Sequence, residues 1–117
     1  MGTINSTVRA GVTPVSRTTA TASDTFTYVP NTSQVLEIHN NTAGPLTVTI
    51  KGSAPSAAYP VPGVAGLTTN LTSGLSLTIA TNTTYHVALD SIAPYLAGNG
   101  TVTVAGATAA IVTLLTN

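Results

Sequence analysis

The sequence lacks cysteine and tryptophan, and it has very little charge. Among its 117 residues there are three Lys or Arg, three Asp or Glu, and a formal net charge of zero. Charged residues therefore make up 5% of the chain, against about 25% in an average soluble domain. Without cysteine there are no disulfides and no thiolate metal sites. So few charges also exclude a basic groove for nucleic acid, a polybasic membrane patch and an acidic tail.

Small uncharged polar residues take the place of the missing charges. The chain contains 24 Thr, 9 Ser and 8 Asn, which can form a polar, uncharged surface. Its length of 117 residues corresponds to one domain. A neutral surface opposes close association only weakly, because charge repulsion keeps free proteins apart at high concentration. The composition thus favours a subunit of a larger assembly, with an ordinary soluble domain of neutral surface as the alternative.

Two-residue alternation of apolar and polar side chains recurs along the chain, whereas no helical period of useful length does. Thr supports strands, since its branched side chain packs well on a pleated surface. The spacing predicts an all-β fold, an antiparallel β-sandwich or jelly-roll-like barrel of seven or eight short strands. The predicted strands are 24–29, 36–39, 46–51, 75–80, 85–90, 101–104 and 109–115.

The alternation also predicts which side chains form the core, because a slip of one residue would turn every Thr inward. Tyr28 and Tyr85 are expected on inward faces, and the apolar run 109–115 is typical of a strand covered on both faces. The predicted core is Phe26, Leu36, Ile38, Leu46, Val48, Ile50, Leu75, Leu77, Ile79, Val87, Leu89, Val102, Val104 and Ile111.

Four segments lie outside this pattern. Residues 40–45 (NNTAGP) predict a hairpin connection, and the proline-rich residues 51–66 predict a long loop. Residues 91–98 predict one helical turn, with Ser91 as its N-cap and Gly98 at its end. Residues 1–23 are polar and weakly patterned, and we expect an extended N-terminal arm that precedes a single β-sandwich domain of residues 24–117.

The side chains able to carry chemistry are few and scattered. Glu37 and His39 share one strand face about 7 Å apart, while His86 and Asp90 share another about 13 Å apart. Both pairs, like the acids in general, are expected to face outward. A metal site would require the two pairs to meet across neighbouring strands, and the spacing does not otherwise favour one. No nucleophile elbow, dinucleotide fingerprint or P-loop is present. The sequence predicts neither an enzyme, nor a cofactor, nor a bound metal.

Tyr59 stands apart from the other tyrosines because it lies within the proline-rich loop. A rigid ring on an exposed loop is a good interface anchor, since it contributes contact area at low entropic cost. Simple packing of the loop is the alternative.

A small, cysteine-free β domain rich in Thr, Ala and Gly, with few charges, resembles the head decoration (cement) proteins of tailed bacteriophages. The resemblance lies in the composition and in the order of the segments along the chain, and not in a diagnostic motif. It runs from VLEIHNNTAGPLTVTIKG (35–52) through GLSLTIATNTTYHVALDSIAPYLAGNGTVTVAG (74–106) to the apolar last strand. Members of that class lie on the outer capsid surface, bridge capsomers and stiffen the shell, many of them as trimers and others as dimers.

The resemblance implies that the chain is a virion protein that binds the major capsid protein and itself, as a homo-oligomer with a trimer favoured over a dimer. We expect Arg9, Arg17 and Tyr59 to contact the capsid or a partner, with each Arg pairing a capsid carboxylate. The start, MGTINSTVRAGV, has no apolar run of signal length, so assembly is expected in the host cytoplasm and no membrane or nucleic acid is expected as partner. The alternative is a tail-fibre or receptor-binding domain that binds host glycans.

Overall fold

The computed structural model describes residues 2–8, 15–53, 55, 57–60, 63, 65–96 and 100–116. Each predicted strand corresponds to a β-strand, although the predicted run 85–90 ends at Ala88, where a 3-10 helix follows, and the run 109–115 begins at Ile111. The strands of five or six residues are β4 (Ser23–Tyr28), β5 (Val35–Asn40), β6 (Leu46–Lys51), β9 (Leu75–Ile79), β10 (Thr83–Ala88), β11 (Gly100–Ala105) and β12 (Ile111–Thr116). Shorter strands within the described residues are β1 (Gly2–Thr3), β2 (Ser6–Val8), β3 (Arg17–Thr19), β7 (Tyr59–Pro60) and β8 (Thr68–Thr69).

The strands form two main sheets. The first has the order β1-β4-β11-β6-β9; the second has the order β10-β5-β12-β2, with β3 also pairing β12. When β3, β4, β5, β6, β9, β10, β11 and β12 are counted as strands one to eight, the sheets read 2-7-4-5 and 1-8-3-6. This is the strand order of a jelly roll, in which two Greek keys build a double-sheet sandwich. The predicted all-β sandwich is therefore confirmed.

The core lies between the two sheets and matches most of the predicted set. Ten of the fourteen predicted side chains are buried, including Leu36, Ile38, Val48 and Ile50, which are completely inaccessible. The four exceptions are half-buried, and they are Leu46, Leu75, Leu77 and Ile111. Leu75 and Leu77 belong to β9, the edge strand of the first sheet, where only one neighbouring strand covers them.

Ile111 was expected in the core, and that prediction is wrong. Val112 and Leu114 are the fully buried residues of β12, at 0% and 1% exposure, and Ile111 points to the opposite face. The reason is that nearly every position of this run is apolar, so the alternation of apolar and polar residues does not indicate which side chains face inward. The expectation that both faces of this strand are covered holds only in part: Thr113 is 4% exposed, but Ile111 and Leu115 on the same outer face are half-buried.

The segment predicted as a free N-terminal arm belongs to the domain wherever it is described. β1 pairs in parallel with β4, β2 pairs in parallel with β12, and β3 pairs antiparallel with β12. Ile4 and Ala20 are buried in the core at 3% and 4% exposure. The segment is extended, but strand pairing and these two apolar anchors hold it against its own domain. The sandwich is accordingly not purely antiparallel, and its boundary does not fall at residue 23.

The prediction of a hairpin connection at residues 40–45 is wrong, because β5 and β6 lie in different sheets and do not pair. The segment is a turn that crosses between the two sheets, and it is built around the buried side chain of Asn40. Its Nδ2 donates to the carbonyl oxygens of Gly44 (2.9 Å) and Ile79 (2.8 Å), and its Oδ1 accepts from the backbone N–H of Thr42 (2.9 Å). Because Ile79 ends a strand of the other sheet, Asn40 ties the turn to both layers of the sandwich. An amide this well satisfied can be buried at little cost.

The predicted helical turn begins earlier than expected. A 3-10 helix spans Leu89–Ile92 and leads into α1 (Ala93–Leu96). The N-cap residue is Ala88, which makes no side-chain capping bond, so the assignment of Ser91 as N-cap is wrong. Gly98 lies outside the described residues. In the predicted long loop 51–66, the described part includes β7, which pairs antiparallel with β8.

Candidate interaction face

The charged and imidazole side chains of the second sheet gather on its outer face. The pairing registers align two rows across the strands, since side chains at paired positions lie on the same face. One row runs His86–Glu37–Thr113–Arg17 from β10 to β3, through the register of neighbouring strands. The adjacent row runs Thr84–His39–Ile111–Thr19. We call the surface formed by these two rows the β12 face, because β12 lies in its middle.

Two side-chain contacts on the β12 face join β10 to β5. His86 Nε2 lies 3.5 Å from Glu37 Oε2, with the His86 side chain 66% exposed and that of Glu37 32% exposed. His39 Nδ1 lies 2.7 Å from Thr84 Oγ1, a hydrogen bond whose donor depends on the imidazole tautomer. The first contact is an ion pair only when His86 is protonated, and a pair this exposed adds little stability, because water and salt screen it.

A shallow depression of about 240 Å³ opens in the β12 face. It is lined by Arg17, Glu37, His39, Thr84, Ile111 and Thr113. Both signs of charge, an imidazole, two hydroxyls and one apolar side chain therefore meet at one place. Among the described residues Arg17 makes no salt bridge, and the carboxylate of Glu37 contacts His86 instead. Such a surface is suited to polar recognition by a partner that carries both signs of charge.

The predicted contact residues fall in different places. Arg17 begins β3 and is exposed on the β12 face. Tyr59 is half-buried in β7, within the separate two-stranded sheet with β8, so the structure does not bring it together with Arg17. Arg9 lies outside the described residues.

The two predicted outward pairs meet only in part. Glu37 and His86 are opposite each other on neighbouring strands, as a metal site would require. Asp90 does not join them, because it lies in the 3-10 helix and binds Tyr28. Within the described part of the chain, no three His, Cys, Asp or Glu side chains are arranged to hold a metal ion.

Asp24 was expected outward with the other acids, and that prediction is wrong. Its side chain is completely buried and accepts hydrogen bonds from the backbone N–H and the hydroxyl of Thr21, at 2.8 and 2.9 Å. The burial of Asp24 could have been predicted from the alternation along β4, because Asp24 lies on the same face as Phe26 and Tyr28. The carboxylate closes the turn before β4 and is not available for chemistry.

Tyr28 is buried as predicted, and its hydroxyl has a partner that the alternation did not reveal. The phenol donates to Asp90 Oδ1 at 2.7 Å, while the carboxylate also accepts from the backbone N–H groups of Asn31 and Ser33. The hydrogen bond from Tyr28 and those from the backbone lower the pKa of Asp90 below its usual value. Tyr85, in contrast, was expected to pack in the core but is 37% exposed, since β10 is the edge strand of its sheet.

A second depression, of about 280 Å³, lies where the N-terminal segment crosses from the first sheet to the second. It is lined by Thr3, Ile4, Asn5, Ser6, Thr25, Phe26, Thr27, Thr101 and Leu114. The polar lining is entirely uncharged. Phe26 is only 3% exposed, so the depression offers no aromatic face on which a sugar ring could stack.

Comparisons with known proteins add no relative. Neither a family model, nor a curated protein sequence, nor a solved structure matches this chain. None of the helices in the described residues is long and apolar enough to cross a membrane.

Proposed function

We propose that this protein is a structural subunit that decorates the outer surface of an assembled phage head and stabilises the contacts between capsomers. A jelly-roll sandwich is a rigid module with two closely packed layers. The resemblance to head decoration proteins supplies the setting in which a neutral module of this kind is used. A fold alone does not define a function, so the proposal depends on how the surface is composed.

The observation that carries the proposal is the distribution of polarity over the surface. Four of the eight Lys, Arg, Asp, Glu and His side chains of the chain lie on the β12 face, and Asp24 is buried. Elsewhere in the described residues the exposed positions are mainly Thr, Ser, Asn and Ala. Away from this face the exposed charges of the described residues are those of Lys51 and Asp90. A subunit with one recognition face and so few other charges can lie close to its neighbours in a crowded shell, since little repulsion opposes it.

We propose that two exposed apolar side chains, one at the end of β2 and one just before β3, contact the capsid. Val8 and Val15 are 54% and 48% exposed, and in the sequence they flank residues 9–14, which include Arg9. We name Val8 and Val15 the docking end. These two exposed apolar side chains provide contact area, while Arg9, which lies outside the described residues, stays a predicted partner for a capsid carboxylate. Tyr59 stays a predicted second contact.

Binding to the capsid does not require a strong single contact, because the same weak contacts are repeated around the shell. A subunit that also binds its neighbours on a shell is held by several weak contacts at once, which raises its effective concentration at each site. We therefore propose that the protein acts as a homo-oligomer, with its partners being the major capsid protein and itself.

Co-sedimentation of the purified protein with undecorated, expanded heads tests the proposal. Saturable recovery of the protein in the head pellet is expected. A tail-fibre or receptor-binding domain would instead stay in the supernatant with heads and sediment with host cells. Fixed host cells in a parallel tube thus distinguish the two functions.

A further inference from the structure

The charged residues of the β12 face follow a self-complementary order. Along one row Glu37 on β5 and Arg17 on β3 lie on either side of Thr113 on β12. Neighbouring strands are about 4.8 Å apart, so the two opposite charges are equidistant from the middle strand. Arg17 makes no salt bridge among the described residues.

We propose that the β12 face binds the same face of a second copy of this chain. The two-fold axis runs parallel to β12, between the two faces. Such an axis carries each strand of the face to the other side of β12, and therefore places Arg17 opposite the partner's Glu37, and Glu37 opposite the partner's Arg17. Sheets packed face to face are about 10 Å apart, a gap that an Arg and a Glu side chain together can span.

The residues on the axis support the same packing. Ile111 and Leu115 are half-buried on the outer side of β12, and a two-fold axis along the strand brings each next to its own symmetry mate. Thr113 lies between them on the axis and is only 4% exposed. The contact then has a centre of two apolar side chains and one nearly buried Thr, flanked by charge pairs, in keeping with the usual arrangement of a less polar core and a polar rim. In the adjacent row His39 faces the partner's Thr19, so an imidazole meets a hydroxyl.

The charges of the β12 face favour a second copy of the chain over a simple ion as the occupant of the depression. A lone anion at Arg17 would share the depression with the carboxylate of Glu37, and a lone cation would share it with the guanidinium. A partner that presents both signs in the reverse order satisfies both groups, and a two-fold related copy does so by symmetry. The resemblance favours a trimer, whereas the order of charges on this face favours a two-fold contact. The inference does not depend on capsid binding.

Charge reversal tests the contact in solution, by sedimentation equilibrium of the purified full-length protein without capsids. The wild type is expected to have twice the chain mass at high concentration. Arg17→Glu or Glu37→Arg alone places like charges opposite each other at both ends of the contact. Each should weaken self-association at least about tenfold, in the range measured for close interfacial charge pairs. The double variant R17E/E37R restores both pairs with their signs exchanged and should recover the wild-type dissociation constant to within about threefold.

Lys51→Glu is the matched control, because Lys51 is an exposed cation at the end of β6 in the other sheet. It should leave self-association unchanged. Recovery in the double variant shows that the single variants failed through charge and not through misfolding. A wild type that is monomeric at every concentration, or single reversals that dimerise as well as the wild type, would overturn the proposal. So would a double variant no better than either single one.

Discussion

Tyr28 and Asp90, 62 positions apart in the sequence, are joined by a hydrogen bond of 2.7 Å from the phenol to Oδ1. The bond ties the end of β4 to the 3-10 helix that follows β10, and so links one sheet to the connection leaving the other. Burial of the ring raises the pKa of Tyr28 from 10.0 to about 12, and the bond and the negative charge of Asp90 act in the same direction. The folded state therefore holds the phenol in its neutral form.

Stability in alkali should depend on this phenol. A group whose pKa is raised by folding contributes stability that is fully present below its unfolded pKa and is lost as the pH rises through its folded pKa. For Tyr28 that window runs from 10.0 to about 12. We expect the urea midpoint of the wild type to fall across this window, and that of Tyr28→Phe to fall less steeply. Equal slopes for the two proteins would show that the phenol is not held neutral by the fold.

Truncation of Ile4 should lower the free energy of unfolding more than truncation of a residue in a free arm would. Its side chain is 3% exposed in the core, whereas Val8, in the same N-terminal segment, is 54% exposed. Ile4→Ala should lower the free energy of unfolding by about 2–5 kcal/mol, and Val8→Ala should change it by no more than about 0.5 kcal/mol. Denaturant unfolding of both variants provides the measurement. A loss below about 1 kcal/mol for Ile4→Ala would mean that the segment is not held in the sandwich.

Ile50 tests the packing between the sheets. It is completely buried in β6, next to the partly exposed edge strand that carries Leu77. Ile50→Ala should cost about 2–5 kcal/mol, because the cavity cannot fully close in a core covered on both sides. Leu77→Ala is the matched control and should cost less, since the half-buried edge position can relax. The measurement is the free energy of unfolding of both variants. A larger loss for Leu77→Ala than for Ile50→Ala would mean that Ile50 does not face the core.

The docking end can be tested without disturbing the core. Val8→Ser and Val15→Ser together remove exposed apolar area, so the melting temperature should change little. Binding to expanded heads should weaken at least about tenfold if both side chains lie in the contact. Val29→Ser is the control, because Val29 is also exposed, at 42%, but lies in the turn after β4. Equal loss of binding in the control would remove the docking end from the proposal.

Much of the fold could be predicted from the sequence because alternation is strong wherever Thr separates apolar residues. In β6 the run from Leu46 to Lys51 predicts both the bounds of the strand and its inward face. The same signal fails in β12, where Ile111 and Val112 are both apolar and the phase is undefined. It also fails for β1 to β3, whose pairing depends on β4 and β12 far along the chain and not on any local pattern.

The candidate face was less predictable than the fold. Sequence spacing places Glu37 and His39 on one side of β5, but only the strand order brings Thr113 and Arg17 beside them. Pairing between β5, β12 and β3 joins distant segments, and alternation within a strand carries no information about its neighbour. Asp90 illustrates the same limit, since its partner Tyr28 could not be assigned before the turn after β10 was known.

Binding to heads is the most direct test of the central claim. Purified protein is added in increasing amounts to expanded heads that lack it, and the pelleted amount is measured. We expect saturation at a fixed number of copies per head, with heads that then resist heat or chelation better than undecorated ones. A protein that remains in the supernatant at every concentration, beside heads that still bind a known decoration protein, would contradict it.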